Sequence, residues 1–325
     1  MSHESLNPIH PSVLPHLDPI FINLYNTHMA NTPSGPIDLS VLRSKYSVLY
    51  SYGTAPAPSP ARVYDTTIPG HNGVMIPCRV YEPDTPGPWP VHLDFHGGGW
   101  ALGDLATESH ICAHIMHKAR VSVIDIAYRL IPENPFPIPI LDSFAALQCL
   151  TSSSSSSGAK TQFPNHDFSR ISVGGVSAGA NIALTLAHLA RDAQPQIPLQ
   201  LVVVGTPVID DLSQYERASE SPFESMQEME FAPTLNWGRL RFFDALKVKS
   251  SGSRIISEDG EDGDGGMDKR GMFWNLLNAE KFTGLPKTVI YTAGCDPLRD
   301  EGEAYARKLV EEGGGGGEVV CRSIN

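Results

Sequence analysis

No histidine follows His188 in this chain of 325 residues. Other absences narrow the field further. The five cysteines, Cys78, Cys112, Cys149, Cys295 and Cys321, contain no Cys-x-x-Cys pair. That argues against a zinc site and against a disulfide framework, and it reads as reduced thiols in a cytoplasmic protein. There is no basic run, and the formal net charge is −12, which disfavours nucleic acid and anionic membrane as partners. No apolar stretch approaches the length of a membrane span. Met1 to Asn31 shows no charged-then-apolar signal pattern. What is present is ordinary: 41% apolar residues, enough for a sizeable core in one large α/β domain or two smaller ones.

The hydrophobic pattern alternates strands with helices. Leu17, Ile20, Phe21 and Leu24 recur at helical spacing, with Asp18 and Pro19 as cap and first helical residue. Thr54 to Pro60 is proline-rich and reads as a loop. Val91, Leu93 and Phe95 alternate with His92 and Asp94 and the run ends at three glycines, predicting a strand. Further strands are expected at Val121 to Ala127, Arg170 to Gly174, Leu201 to Val204 and Thr288 to Thr292. Helices are expected after residue 177 and from Pro297 to Glu312. This alternation predicts a mostly parallel central sheet flanked by helices. Residues 211 to about 285 break the rhythm, with an aromatic segment at Leu235 to Leu246 and an acidic, glycine-rich loop at Glu258 to Asp268. Ser152 to Ser157 and Gly313 to Gly317 read as surface loops.

Two motifs carry chemistry. Gly175-Val176-Ser177-Ala178-Gly179 lies between a predicted strand and a predicted helix, the context of a nucleophile elbow. There the helix N-terminus backs the serine and favours negative charge beside it. His96-Gly97-Gly98-Gly99-Trp100 ends another strand. Glycines let main-chain amides approach a ligand closely, and such amides stabilise an oxyanion, each donor contributing about 3 kcal/mol. We assign Gly97, Gly98 and Ala178 to that pocket. His96 reads as a loop-shaping residue and Trp100 as a pocket wall or core residue.

These motifs, together with Tyr128-Arg129-Leu130-Ile131-Pro132-Glu133, Phe136-Pro137 and Cys295-Asp296-Pro297-Leu298-Arg299-Asp300-Glu301, resemble the hormone-sensitive lipase family of α/β-hydrolases over nearly the whole chain. Val176, where many members have an acid, is a small departure. The resemblance implies an α/β-hydrolase fold, Ser177 as nucleophile, Asp296 as triad acid and a small-molecule ester as substrate. It implies no metal and no organic cofactor, and it leaves a homodimer open. Asp142 and Asp300 read as structural. The expected organisation is one domain over residues 1–325, with cap elements from 1–50 and 211–285 over a core of 51–210 and 286–325. The cap aromatics Phe231, Trp237, Phe242 and Phe243 point to an apolar pocket or to cap-to-core packing.

In this fold the catalytic histidine follows the acid, and here none follows Asp296. Without an imidazole a serine hydroxyl is a poor nucleophile. His71, His110, His114 and His117 are upstream candidates that nothing in the sequence places beside Ser177. The favoured expectation is a truncated or mis-predicted copy of an esterase, ending on the strand Val319 to Ile324 and impaired in activity. The competing readings are a non-catalytic small-molecule-binding protein, as in the plant gibberellin receptors, and a degraded enzyme. A strand left without a covering helix would also lower stability.

Overall fold

The computed structural model describes residues 5–31, 38–50, 56–152, 159–251, 271–313 and 319–324. The acidic loop at Glu258 to Asp268 and most of the two low-complexity tracts lie outside the described residues.

The sheet has eight strands: β1 (Arg62–Pro69), β2 (Met75–Glu82), β3 (Trp89–Phe95), β4 (Ser122–Ile126), β5 (His166–Val176), β6 (Leu201–Gly205), β7 (Lys287–Ala293) and β8 (Val319–Ile324). Their spatial order is β1-β2-β4-β3-β5-β6-β7-β8. β1 and β2 form an antiparallel hairpin, β2 pairs antiparallel with β4, and every other pairing is parallel. The hairpin was not read from sequence: β1 is largely exposed and carries Asp65, Thr66 and Thr67, so it lacks an apolar run.

The helices are α1 (Pro19–His28), α2 (Leu39–Tyr50), α3 (Ser109–Ala119), α4 (Ile138–Thr151), α5 (Ala159–Gln162), α6 (Ala178–Asp192), α7 (Glu224–Glu228), α8 (Trp237–Ser251) and α9 (Arg299–Glu312). α1 starts as its sequence dictates: Pro19 takes the first helical position and the Asp18 carboxylate accepts the Ile20 amide. α6 packs on β3, β5 and β6 and touches α4, while α3 packs on β2 and β4 and α9 on β7 and β8. Among the described residues no helix is long and apolar enough to cross a membrane.

His92 and Asp94 are as buried as Val91, Leu93 and Phe95, because a parallel sheet is covered on both sides. The polar members are paired instead of solvated: His92 meets Ser172 at 2.9 Å, and Asp94 accepts from the Cys112 thiol at 3.5 Å.

The strand order places the site. The chain fills in β4 on one side of β3 and then crosses to lay β5 on the other. Such a switch point leaves a crevice beyond the carboxyl ends of the two strands. Phe95 of β3 is in register with Gly175 of β5, so the two motifs leave the sheet side by side.

Candidate active site

Ser177 connects β5 to α6 with φ 57° and ψ −116°, a conformation that strains an L-residue. The turn is held from both sides. The Ser177 amide donates to Gly205 O at 2.9 Å, and its carbonyl accepts the Asn181 amide at 3.0 Å. It can be this tight because Gly175 and Gly179 have no side chain: a Cβ at either would strike the Phe95 carbonyl. The Ser177 hydroxyl has no partner among the described residues.

The glycine loop runs alongside, with Gly97 packed against Val176 and Ser177. The structure corrects its assignment. The Gly97 amide is already spent, donating to Glu108 Oε1 at 2.6 Å, and Gly97 does not line the cavity. Gly98 and Gly99 do line it, and their amides, with that of Ala178, have no acceptor among the described residues. Gly98 has φ 116° and Gly99 φ 59°, which turns the loop back. Glu108 belongs to the site and was missed in the sequence. It is fully buried, and burial beside Asp94 pushes its carboxyl well above the ordinary range.

Ser177, Gly98, Gly99 and Asp296 share one cavity of about 1330 Å³. Asp296 follows β7. Its Oδ1 accepts the Leu298 amide at 2.9 Å, and Oδ2 has no partner among the described residues. Burial raises its pKa from 3.8 to about 6. Asp142 pairs with Arg129 at 2.7 Å, and Asp300 accepts the Ser225 amide at 2.8 Å.

None of the four upstream histidines lines the cavity. His71 turns the β1–β2 hairpin, and His110, His114 and His117 ride on α3. His96 is buried, with Nδ1 at 2.8 Å from Gly97 O and its ring stacked on Tyr128 at 4.3 Å. The cavity-lining imidazole among the described residues is His10. Its Nδ1 lies 2.7 Å from Ser12 Oγ, and its ring stacks on Phe231 at 4.3 Å.

The opposite wall comes from α1, α2 and α8. It carries charged side chains beside its rings. Phe231 and Phe243 line the cavity, whereas Trp237 and Phe242 do not; Asp244, Lys247 and Arg239 do. The Lys247 ammonium sits 4.5 Å from the Trp274 ring centre, 5.3 Å from Trp100 and 5.4 Å from Phe136. The negative faces of those rings stabilise it, while burial still drives its pKa down. A lysine within an aromatic helix gives no sequence signal for such a cage.

A strained serine at the switch point of a mostly parallel sheet, opposite a glycine loop, defines an α/β-hydrolase. The comparisons agree. Residues 92–323 match the alpha/beta hydrolase fold family. An AB hydrolase superfamily protein of Schizosaccharomyces pombe is 30% identical over 95% of this chain and 86% of its own length. The carboxylesterase NlhH of Mycobacterium tuberculosis is 34% identical over 78% of this chain and 70% of its own. The solved structure of an alpha/beta hydrolase enzyme from the metagenome of Lake Arreo, Spain, superposes with TM-score 0.75 at 27% identity, covering 97% of this chain and 89% of that one. The chain belongs to the alpha/beta hydrolase fold family, and by family it is a serine hydrolase of the carboxylesterase type. These spans do not establish the expected truncation.

Proposed function

We propose that this protein acts on small carboxylic esters through Ser177. The observation that carries the reading is the strained Ser177 turn, opening on the same cavity as two glycines with unpaired amides and the Asp296 carboxyl. Ser177 Oγ attacks the ester carbonyl. The amides of Gly98, Gly99 and Ala178 receive the oxyanion, with Gly99 in the place first given to Gly97. The Ala178 amide opens α6, so the helix dipole adds to it. Asp296 is suited to orient an imidazole. The α1, α2 and α8 segments act as the cap over the core.

No histidine follows Asp296 in this sequence, and loss of the triad histidine costs on the order of 10⁶ in kcat in a serine protease. Among the described residues the imidazole that lines the cavity, His10, is engaged by Ser12 and Phe231, which favours a second reading, a receptor-like protein that binds a small molecule in the cavity without cleaving it.

A fluorophosphonate probe and a short-chain p-nitrophenyl ester separate the two. The esterase reading expects covalent labelling and ester cleavage that both vanish in Ser177→Ala. Saturable ligand binding with no labelling at any pH supports the receptor reading and overturns the first.

A further inference from the structure

Most described arginines have an acid. Arg43 meets Glu133 at 2.7 Å, Arg79 meets Asp65 at 2.6 Å, Arg241 meets Asp244 at 3.2 Å and Arg299 meets Glu228 at 2.8 Å. Arg239 has none. It sits in the first turn of α8 and lines the cavity that holds Ser177. Its amide bonds to Asn236, but its guanidinium has no hydrogen-bond or ion-pair partner among the described residues. The groups that bear on its charge are the phenols of Tyr46 and Tyr25, and burial shifts its pKa downward.

A guanidinium does not give up its proton. Partly buried with no counter-charge, it carries a desolvation cost that an incoming anion would relieve. Of the four aspartates that line the cavity, Asp296 lies at the end of β7 with Oδ1 on the Leu298 amide, and the other three are engaged elsewhere. Asp38 caps α2 through the amides of Ser40 and Val41. Asp210 accepts from Asn275 at 2.6 Å, and Asp244 faces Arg241 and Lys247. Lys45, the residue before Tyr46, adds a second cation to the same wall. The planar guanidinium fork matches a carboxylate with two parallel hydrogen bonds.

We propose that Arg239 is a specificity residue that grips a carboxylate carried by the substrate. The preferred substrate is then an ester with a free carboxylate elsewhere in the molecule, such as the half-ester of a dicarboxylic acid. This rests on the ester-hydrolase reading of Ser177.

The test is equilibrium binding to the Ser177→Ala protein, which removes turnover from the readout. Monomethyl glutarate is compared with dimethyl glutarate by calorimetry. The half-ester should bind at least about tenfold more tightly, the scale of a charge-assisted hydrogen bond. Arg239→Gln should abolish that preference and Arg239→Lys should keep part of it. Raising salt from about 0.05 to 0.5 M should weaken the half-ester alone, a measurement that needs no variant at Arg239. Equal affinities, or a preference that survives Arg239→Gln, overturn the proposal. Fluorophosphonate labelling of the unmutated protein is scored separately. Labelling without a carboxylate preference sinks the Arg239 proposal alone. A preference without labelling sinks the ester-hydrolase reading and leaves Arg239 as an anion anchor.

Discussion

The cavity has two unlike walls. One is the sheet edge, where Ser177, Gly98, Gly99 and Asp296 sit at the ends of β5, β3 and β7. There, main-chain atoms set the geometry and there is no room for another atom. The other wall is helical, and side chains of α1, α2 and α8 dominate it, including Tyr25, Tyr46, Arg239, Phe243 and Lys247. The first wall holds Ser177 and the glycine loop in one position. The second presents charges and rings that can differ without moving that serine.

The sharpest break in this contrast is between two glycines. Gly179→Ala places a Cβ against the Phe95 carbonyl; we expect a loss of about 4 kcal/mol or more, or failure to fold, read from the denaturant midpoint. Its counterpart on the helical wall comes last, as the smallest effect.

Asp296 follows. Its ordinary pKa of 3.8 is raised to about 6 in the fold, so between those values the folded state holds the extra proton. Stability from this group therefore falls as pH rises from about 4 to about 6 and is level above that. Asp296→Asn should remove the fall. Relative to the parent it should gain up to about 3 kcal/mol between pH 4 and pH 7, measured by urea unfolding at each pH. No pH-dependent difference would contradict the buried position.

Next is the strain at Ser177. Ser177→Gly should stabilise the protein by about 1–2 kcal/mol, while Ser177→Ala, which keeps a Cβ in the same conformation, should not. Then comes the contact that aims the glycine loop. Glu108→Gln keeps an acceptor for the Gly97 amide and should leave fluorophosphonate labelling near its parent rate. Glu108→Leu removes the acceptor and should slow labelling about tenfold. The smallest effect returns to the helical wall. Gly238 in α8 is exposed, and its closest neighbour to a new Cβ is the Asn236 side chain at 3.3 Å. The Asn236 side-chain oxygen accepts the Arg239 amide, so crowding of the cap offsets the gain in helix propensity, and Gly238→Ala should change stability by less than about 0.5 kcal/mol.

The two walls also differed in how far the sequence revealed them. The sheet wall is local. Its strands are short apolar runs, its serine and glycines are contiguous motifs, and β3, β4, β6 and β7 lie close to where periodicity placed them. The error there was Gly97. Which amides of a glycine loop remain free depends on what reaches in from elsewhere, and Glu108 arrives from the start of α3. The helical wall is assembled from residues far apart in the chain. Arg239 and Lys247 look like the solvated face of an amphipathic helix until α8 is seen turned inward, with Asp244 and Lys247 buried. Periodicity assumes that charge marks the outside, and here the pattern is reversed by ion pairing and by the rings around Lys247.

The switch point in the sheet has a further consequence. Ser177, Gly98, Gly99 and Asp296 follow strand ends, and the β6–β7 pairing holds although 81 residues separate Gly205 from Lys287 in the chain. A substitution in α8 therefore need not shift the strand ends. A descendant could exchange the whole excursion for another and keep its nucleophile in place. Changes of diet in such a lineage should accumulate in α8 long before they reach the bend at residue 177.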